Sequence, residues 1–120
     1  MSAVRWVLFL CTGNYYRSRF AELLFNALAA ARGLPWRAFS RGLALEKGRH
    51  NRGPMAPVAV EALRARGIPL QGSERPPRQV SEDDLRRAAL IVALEEAEHR
   101  PYLQARYPRL GRARGVLARP

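Results

Sequence analysis

One octet constrains the fold of this 120-residue chain more than any other stretch: Cys11-Thr12-Gly13-Asn14-Tyr15-Tyr16-Arg17-Ser18. The apolar run Val7-Leu8-Phe9-Leu10 leads into it, and a helical pattern that opens at Phe20 follows it. We therefore predict that the octet is the turn from a buried strand into a helix. Such a turn points successive backbone N–H groups into one concave nest at the positive end of a helix, and a nest of this kind binds anions.

Two side chains of the octet add chemistry to this nest. Cys11 ends the strand, and the nest together with Arg17 favours the thiolate form of the sulfur. Arg17 carries a planar fork that grips two phosphate oxygens better than a lysine does. A lone cysteine after a strand is usually a small buried hydrophobe, but the whole octet favours an anion site. We predict nucleophilic attack by sulfur on a bound phosphate.

The apolar patterns along the chain alternate between strand and helix. Residues 4–10 lack polar alternation, which is typical of a strand buried on both faces of a parallel sheet. Helical spacing runs from Phe20 to Arg32, and Gly33 ends that helix. The other predicted elements are a strand over 36–40, a loop over 41–57, a helix over 57–66, a short helix capped by Ser81, a strand over 88–94 and a helix over 95–107. This order predicts an α/β fold, a three-layer open parallel sheet with helices on both faces.

The length and charge of the chain limit its organisation and its partners. We predict one domain over 1–120, of which about 109–120 form a poorly ordered basic tail rich in Arg, Gly and Pro. The net charge is +11, and Lys47 is the only lysine. Because the arginines are scattered and no aromatic-rich strand pair or zinc finger accompanies them, we expect no specific nucleic-acid binding.

The single cysteine excludes a disulfide framework and fits a reducing, cytoplasmic location. The apolar run after Arg5 is too short for a signal peptide, and no run approaches the roughly 20 residues that span a bilayer, so no membrane partner is expected. His50 and His99 lie too far apart in sequence for a local metal motif. We predict that both are surface or capping residues and that no metal is bound.

The octet and its flanks resemble the N-terminal signature of the low-molecular-weight protein tyrosine phosphatase family. That signature is an apolar strand, then Cys-x-Gly-Asn-x-x-Arg-Ser, then a helix. The likeness covers the chain to about Pro108 and continues through Ser40-Arg41-Gly42, Pro57 onward to Gly67-Ile68, Arg78-Gln79-Val80, Asp84-Leu85 and Leu90-Ile91-Val92. It implies the same α/β fold.

The resemblance also implies an activity, namely hydrolysis of phosphotyrosine or of small aryl phosphates through a phosphocysteine intermediate on Cys11. Arg17 and Ser18 are then catalytic, with Ser18 donating to the sulfur. The phosphate-binding residues implied are Thr12, Gly13, Asn14, Tyr15 and Tyr16, and the pair that braces the loop is Asn14 and Ser40. Gly13 and Asn14 are both residue types that tolerate a left-handed backbone.

The resemblance implies that no metal or organic cofactor is needed. The expected partners are a phosphorylated protein or a small phosphomonoester, with inorganic phosphate and other oxyanions as inhibitors. Tyr15 and Tyr16 are interpreted as a wall for an aromatic ester, with inward packing of Tyr16 as the alternative. Glu95 and Glu96 either face the pocket or serve as solvated or capping residues.

The chain departs from the family pattern at three places. Tyr16 replaces a cysteine that protects the nucleophile in many eukaryotic members, and Arg19 replaces a usual proline. The family's general acid is an aspartate in an Asp-Pro stretch near the C-terminus, whereas the aspartates here are Asp83 and Asp84, and no acidic residue follows Pro108. We therefore predict that a fourth strand is missing, that the general acid is unknown and that turnover is weakened, since losing a general acid costs about 10²–10⁴-fold.

Two alternative functions follow from the same residues. The first is a catalytically impaired pseudo-phosphatase that binds phosphate or phosphopeptides. The second is an arsenate reductase, a mechanism that relays electrons through additional cysteines, whereas Cys11 is the only cysteine in this sequence.

Overall fold

The computed structural model describes residues 3–107 and 115–117. Its strands are all parallel and form one sheet. They are β1 (Arg5–Cys11), β2 (Trp36–Gly42), β3 (Leu90–Ala93) and β4 (Gly115–Leu117), in the spatial order β2-β1-β3-β4. The helices are α1 (Arg17–Ala31), α2 (Pro57–Ala65), α3 (Glu82–Arg87) and α4 (Glu96–Arg106), with a 3-10 turn at Leu45–Gly48.

Alternate residues of β1 pack on opposite faces of the sheet, as the pleat of a strand requires. Phe9 meets Phe25 of α1 edge-on, with ring centroids 5.8 Å apart. On the other face, Leu8 and Leu10 belong to one buried cluster with residues of α3 and α4. The second cluster joins α1 to α2 and comprises Leu23, Met55, Ala56, Ala59 and Leu63. The predicted α/β fold, with helices on both faces of a parallel sheet, is confirmed.

The sheet topology places a crevice at the carboxyl end of β1. From β1 the chain crosses to β2 on one side, and the later strand β3 pairs on the other side. Ligands bind in open α/β sheets beside such a reversal of strand order. Leu10 is in register with Arg41 of β2 and with Ala93 of β3. Residues that follow Leu10 and Ala93 therefore lie at the same edge.

The fourth strand corrects one prediction. The short β4 pairs with β3, with Val116 opposite Val92, so the prediction that this strand is missing is wrong. Val116 and Leu117 are apolar, and valine in particular favours a strand, although the surrounding sequence is rich in arginine. The other residues of the predicted poorly ordered tail lie outside the described residues.

The local signals for the short helix α3 are confirmed in detail. Ser81 Oγ accepts a hydrogen bond from the Asp84 N–H at 3.1 Å, and Asp84 Oδ2 accepts one from the Ser81 N–H at 3.0 Å. This reciprocal capping box satisfies two backbone donors at the helix start. No helix in the described ranges is both long and apolar enough to cross a bilayer.

Gly42, the last residue of β2, presses against the octet. A Cβ added to Gly42 would lie 2.9 Å from the Thr12 carbonyl oxygen and 3.1 Å from the Asn14 nitrogen. Because both are backbone atoms, they cannot give way as a flexible side chain would. We expect Gly42→Ala to lower the free energy of unfolding by about 1–3 kcal/mol in urea denaturation, the usual cost of overpacking.

A matched control for this prediction is Gly13→Ala. A Cβ on Gly13 would meet the Asn51 Nδ2 atom at 3.5 Å, an ordinary contact distance. The control is expected to keep more of the wild-type stability than Gly42→Ala. Equal stability of Gly42→Ala and the wild type would contradict the close approach of β2 to the octet.

Candidate active site

The backbone of the octet is oriented from outside. Three backbone carbonyl oxygens of the octet accept hydrogen bonds at 2.9 Å from residues outside it. The Cys11 oxygen accepts from the Leu43 N–H and the Thr12 oxygen from the Ala44 N–H, while the Tyr15 oxygen accepts from the Ala56 N–H. The C=O and N–H of one trans peptide point in opposite directions. The N–H groups of Thr12, Gly13 and Tyr16 are therefore turned away from those segments, as an anion-binding nest requires.

Asn14 holds the shape of the octet. It is completely buried and has a φ of 51°, the only positive φ of a non-glycine residue among those described. Its Nδ2 donates to Ser18 Oγ at 2.8 Å and to Ser40 Oγ at 2.9 Å. Its Oδ1 accepts from the Arg78 N–H at 3.0 Å and from Arg75 Nη1 at 3.2 Å. The structure thus brings the predicted bracing pair together. Of the two residue types that tolerate a left-handed backbone, Asn14 adopts that conformation and Gly13 does not.

The sulfur of Cys11 lies at the base of the octet. Cys11 is 2% exposed, and its Sγ lies 3.0 Å from Ser18 Oγ. Because Ser18 Oγ already accepts from Asn14, its own hydrogen is free to point at the sulfur. When the sulfur is ionised, Ser18 is therefore the donor in this contact and stabilises the negative charge.

A carboxylate that sequence reasoning missed occupies the fork of Arg17. Arg17 Nη2 lies 2.8 Å from Glu98 Oε2, and Arg17 Nη1 lies 3.4 Å from Glu98 Oε1. Thr12 Oγ1 also donates to Glu98 Oε2. The hydrogen bond from Arg17 lowers the pKa of Glu98 to about 2, and the same bond raises the pKa of Arg17. At neutral pH an internal anion therefore sits beside the predicted phosphate nest.

The position of Glu98 follows from the topology. It lies in the first turn of α4, directly after β3, and β3 pairs with β1. Glu95 precedes it by three residues and caps the same helix, with its Oε1 accepting from the Ala97 N–H at 3.0 Å. The capping alternative for Glu95 is therefore confirmed.

The two histidines differ in their surroundings. His50 is exposed, as predicted. His99 is completely buried, which corrects the surface prediction, although its Nδ1 does accept from the Glu95 N–H at 3.0 Å. Its Nε2 lies 3.2 Å from Glu98 Oε2 without the alignment of a hydrogen bond. Burial lowers the pKa of His99 from its usual 6.5. The ring is therefore neutral at physiological pH.

This burial predicts a loss of stability in weak acid. The unfolded chain protonates His99 near pH 6.5, whereas the folded chain does so only at lower pH because its pKa is lowered. Stability is therefore fully present above pH 6.5 and falls as the pH drops below it, by at most about 1.4 kcal/mol per pH unit. We expect the loss of unfolding free energy between pH 7.5 and 5.5 to be smaller in His99→Leu than in the wild type. His50→Leu is the control, and an equal loss in all three proteins would contradict the prediction.

The two tyrosines border the mouth of the site. Tyr15 Oη donates to the Arg52 carbonyl at 2.6 Å. Tyr16 is 46% exposed, so the alternative that it packs inward is wrong. Both line a cleft of about 380 Å³ whose other lining residues are Cys11, Gly13, Arg17, Asn51 and Ala56.

Arg19, which stands where the family usually has proline, is only 1% exposed. Its Nη1 donates to the Pro54 carbonyl at 2.8 Å, and its Nη2 lies 3.2 Å from the Ser73 carbonyl oxygen. Burial lowers the pKa of Arg19 to about 10, so the group remains a cation at neutral pH. It ties the start of α1 to two surface loops. Within the described part of the chain, no group of three His, Cys, Asp or Glu residues could hold a metal ion.

Comparison with known proteins shows which family the sequence matches. The family model for low molecular weight phosphotyrosine protein phosphatases matches residues 6–112. The chain belongs to this family. It is 41% identical over 91 residues to the low molecular weight protein-tyrosine-phosphatase YfkJ of Bacillus subtilis, over 74% of this chain and 55% of the relative. It is 31% identical over 103 residues to a protein-arginine-phosphatase of the same organism, over 86% of this chain and 63% of the relative. The matched region thus spans between 55% and 63% of the length of these relatives.

Solved structures of the phosphatase family show the same fold. The crystal structure of YfkJ from Bacillus subtilis matches 97% of this chain and 70% of its own length, with a TM-score of 0.80 and 31% identity. A low molecular weight protein tyrosine phosphatase from T. tengcongensis matches 94% of this chain and 72% of its own length, with a TM-score of 0.78 and 33% identity.

Proposed function

We propose that this protein hydrolyses phosphomonoesters through a phosphocysteine intermediate on Cys11. The observation that carries the proposal is the contact of 3.0 Å between Cys11 Sγ and Ser18 Oγ, inside a turn that ends at the N-terminus of α1. The sulfur attacks phosphorus, the bond from phosphorus to the ester oxygen breaks, and that oxygen leaves with a proton. Water then attacks phosphorus and the sulfur–phosphorus bond breaks. Phosphate is released and the Cys11 thiolate is regenerated.

The charges around Cys11 suit this reaction. The N-terminus of α1 carries a partial positive charge, and Arg17 and Arg19 interact favourably with a negative Cys11. The helix end and Arg19 are in place before substrate binds and stabilise the thiolate, while the fork of Arg17 receives the phosphoryl oxygens once Glu98 has left it. Roles assigned to Thr12, Gly13 and Asn14 in phosphate binding belong to the same proposal.

We infer that the substrate is a phosphorylated protein and that its ester is phosphotyrosine. Tyr15 and the exposed Tyr16 border the cleft that contains Cys11, where an aromatic ring can pack against them. The relatives are named for tyrosine and for arginine phosphatase activity, so phosphoarginine is the informative comparison substrate. A cytoplasmic location suits a nucleophile that must remain reduced.

The proposal is tested by rapid mixing with p-nitrophenyl phosphate. We expect a burst of one phenolate per Cys11, and we expect inorganic phosphate to protect Cys11 from alkylation by iodoacetamide. Protection without any phenolate release would instead favour the pseudo-phosphatase, which binds phosphate without turnover, whereas slow release would indicate a phosphatase with weakened turnover. Failure of phosphate to protect the thiol would overturn the proposal, and production of arsenite from arsenate with an external thiol would favour the reductase.

A further inference from the structure

Glu98 competes with any phosphate for the same donors. Its two carboxylate oxygens lie 2.8 and 3.4 Å from the two terminal nitrogens of Arg17. A phosphoryl group needs that same planar fork for two of its oxygens. The Glu98 side chain is 40% exposed, so it can leave Arg17 for solvent without opening the core. Substrate binding and the Arg17–Glu98 contact are therefore mutually exclusive at this fork.

We propose, on the basis of the phosphatase function above, that Glu98 is the proton donor to the leaving group. The phosphoryl group displaces Glu98 from Arg17, and the displaced carboxyl group faces the outer side of the bound ester as its acid. Among the described carboxyl groups, that of Glu98 is the one hydrogen-bonded to both Arg17 and the octet residue Thr12.

The displacement favours protonation of the acid, with the proton taken from solvent. The hydrogen bond from Arg17 is the largest cause that lowers the pKa of Glu98 to about 2 in the empty site. When phosphate occupies Arg17, this cause is lost and a dianion stands beside the carboxylate, and both changes raise its pKa. The other groups facing Glu98 are Thr12 from the octet and His99 from its own helix. Partial burial of Glu98 acts in the same direction as the phosphate.

His99 is suited to position this acid. Because its Nδ1 accepts from the Glu95 N–H, the neutral ring carries its proton on Nε2. That buried nitrogen has no hydrogen-bond partner among the described residues and lies 3.2 Å from Glu98 Oε2. After a small movement of Glu98, the Nε2–H of His99 can donate to one oxygen of the Glu98 carboxyl group. The other oxygen is then left to carry the proton that is transferred. His99 is thus a positioning residue for Glu98.

The proton balance closes over the two steps. As the bond between Cys11 sulfur and phosphorus forms, the electron pair of the breaking ester bond goes to the leaving oxygen, which takes the proton of Glu98. The Glu98 carboxylate then accepts a proton from the water that attacks phosphorus. The sulfur–phosphorus bond breaks with its electron pair on sulfur, which restores the thiolate and regenerates protonated Glu98.

The deciding experiment measures kcat/KM, which reports the step that releases the leaving group, for aryl phosphates that range from dinitrophenyl phosphate to phenyl phosphate. An acid matters most when the leaving group is basic. We expect Glu98→Gln to lower kcat/KM for phenyl phosphate by about 10²–10³-fold and for dinitrophenyl phosphate by less than about tenfold. Glu98→Asp should recover part of the loss. Glu61→Gln, at an exposed ion pair with Arg64 on α2, is the matched control and should retain wild-type kinetics.

A steeper dependence of kcat/KM on leaving-group pKa in Glu98→Gln supports the inference, and a dependence equal to that of the wild type overturns it. Loss of turnover in both the wild type and Glu61→Gln would instead overturn the proposed function. A second readout does not require turnover. Phosphate should protect Cys11 from alkylation at about fivefold lower concentration in Glu98→Gln, because the competing anion is gone. Unchanged or weaker protection would contradict the displacement step.

Discussion

Cys11→Ser is expected to lower kcat for p-nitrophenyl phosphate by roughly 10⁵-fold or more, the scale on which loss of a covalent nucleophile acts. A serine hydroxyl is not ionised at neutral pH, and the octet offers the donor Ser18, not a base, to the atom at this position. The measurement is steady-state release of p-nitrophenolate with the variant purified separately from the wild type, so that contamination does not set the residual rate.

The same variant should still bind inorganic phosphate. The hydrogen bonds that orient the backbone of the octet come from Leu43, Ala44 and Ala56, none of which the substitution touches. Binding by calorimetry is therefore the control for folding. Turnover within tenfold of the wild type would contradict a role for the Cys11 sulfur, whatever the binding result.

Arg17→Lys is expected to lower kcat/KM by about 10³-fold, although the positive charge is kept. A lysine supplies a point charge, whereas the guanidinium supplies two parallel N–H groups, which Glu98 occupies at 2.8 and 3.4 Å in the empty site. The measurement is kcat/KM for p-nitrophenyl phosphate under conditions where both enzymes are fully folded.

Arg64→Lys is the matched control for this substitution. Arg64 pairs with Glu61 on an exposed face of α2. Replacing it with lysine makes the same change from guanidinium to ammonium, but outside the octet. Its kinetics should equal those of the wild type. Retention of more than a tenth of the wild-type kcat/KM in Arg17→Lys would show that bidentate geometry is not required.

Much of the fold could be predicted because its signals are local. The unbroken apolar run before Cys11 predicts a buried parallel strand, and Ser81 followed by three acidic residues predicts a helix start, which the capping box confirms. The octet is a contiguous motif, so its position at the end of β1 could also be predicted. The three-residue strand β4 was missed because two apolar residues, Val116 and Leu117, are too few to predict a strand within an arginine-rich sequence.

The rest of the candidate site could not be predicted because it depends on contacts distant in sequence. Glu98 lies 81 residues from Arg17, and only the pairing of β3 with β1 brings them together. His99 looked like a surface residue because burial of one ring in a polar helix leaves no periodic pattern. The burial of Arg19 depends on two loops whose carbonyl groups happen to face it.

The four hydrogen bonds of Asn14 couple ligand binding to the folding of the whole domain. They join the octet to Ser40 in β2 and to the segment around Arg75 and Arg78, so the octet keeps its shape only while those segments are in place. By thermodynamic linkage, a ligand that binds only the folded form stabilises all of it, by about 2.7 kcal/mol at a hundred times its dissociation constant. Inorganic phosphate bound to the octet is thus expected to raise the free energy of unfolding of the whole protein.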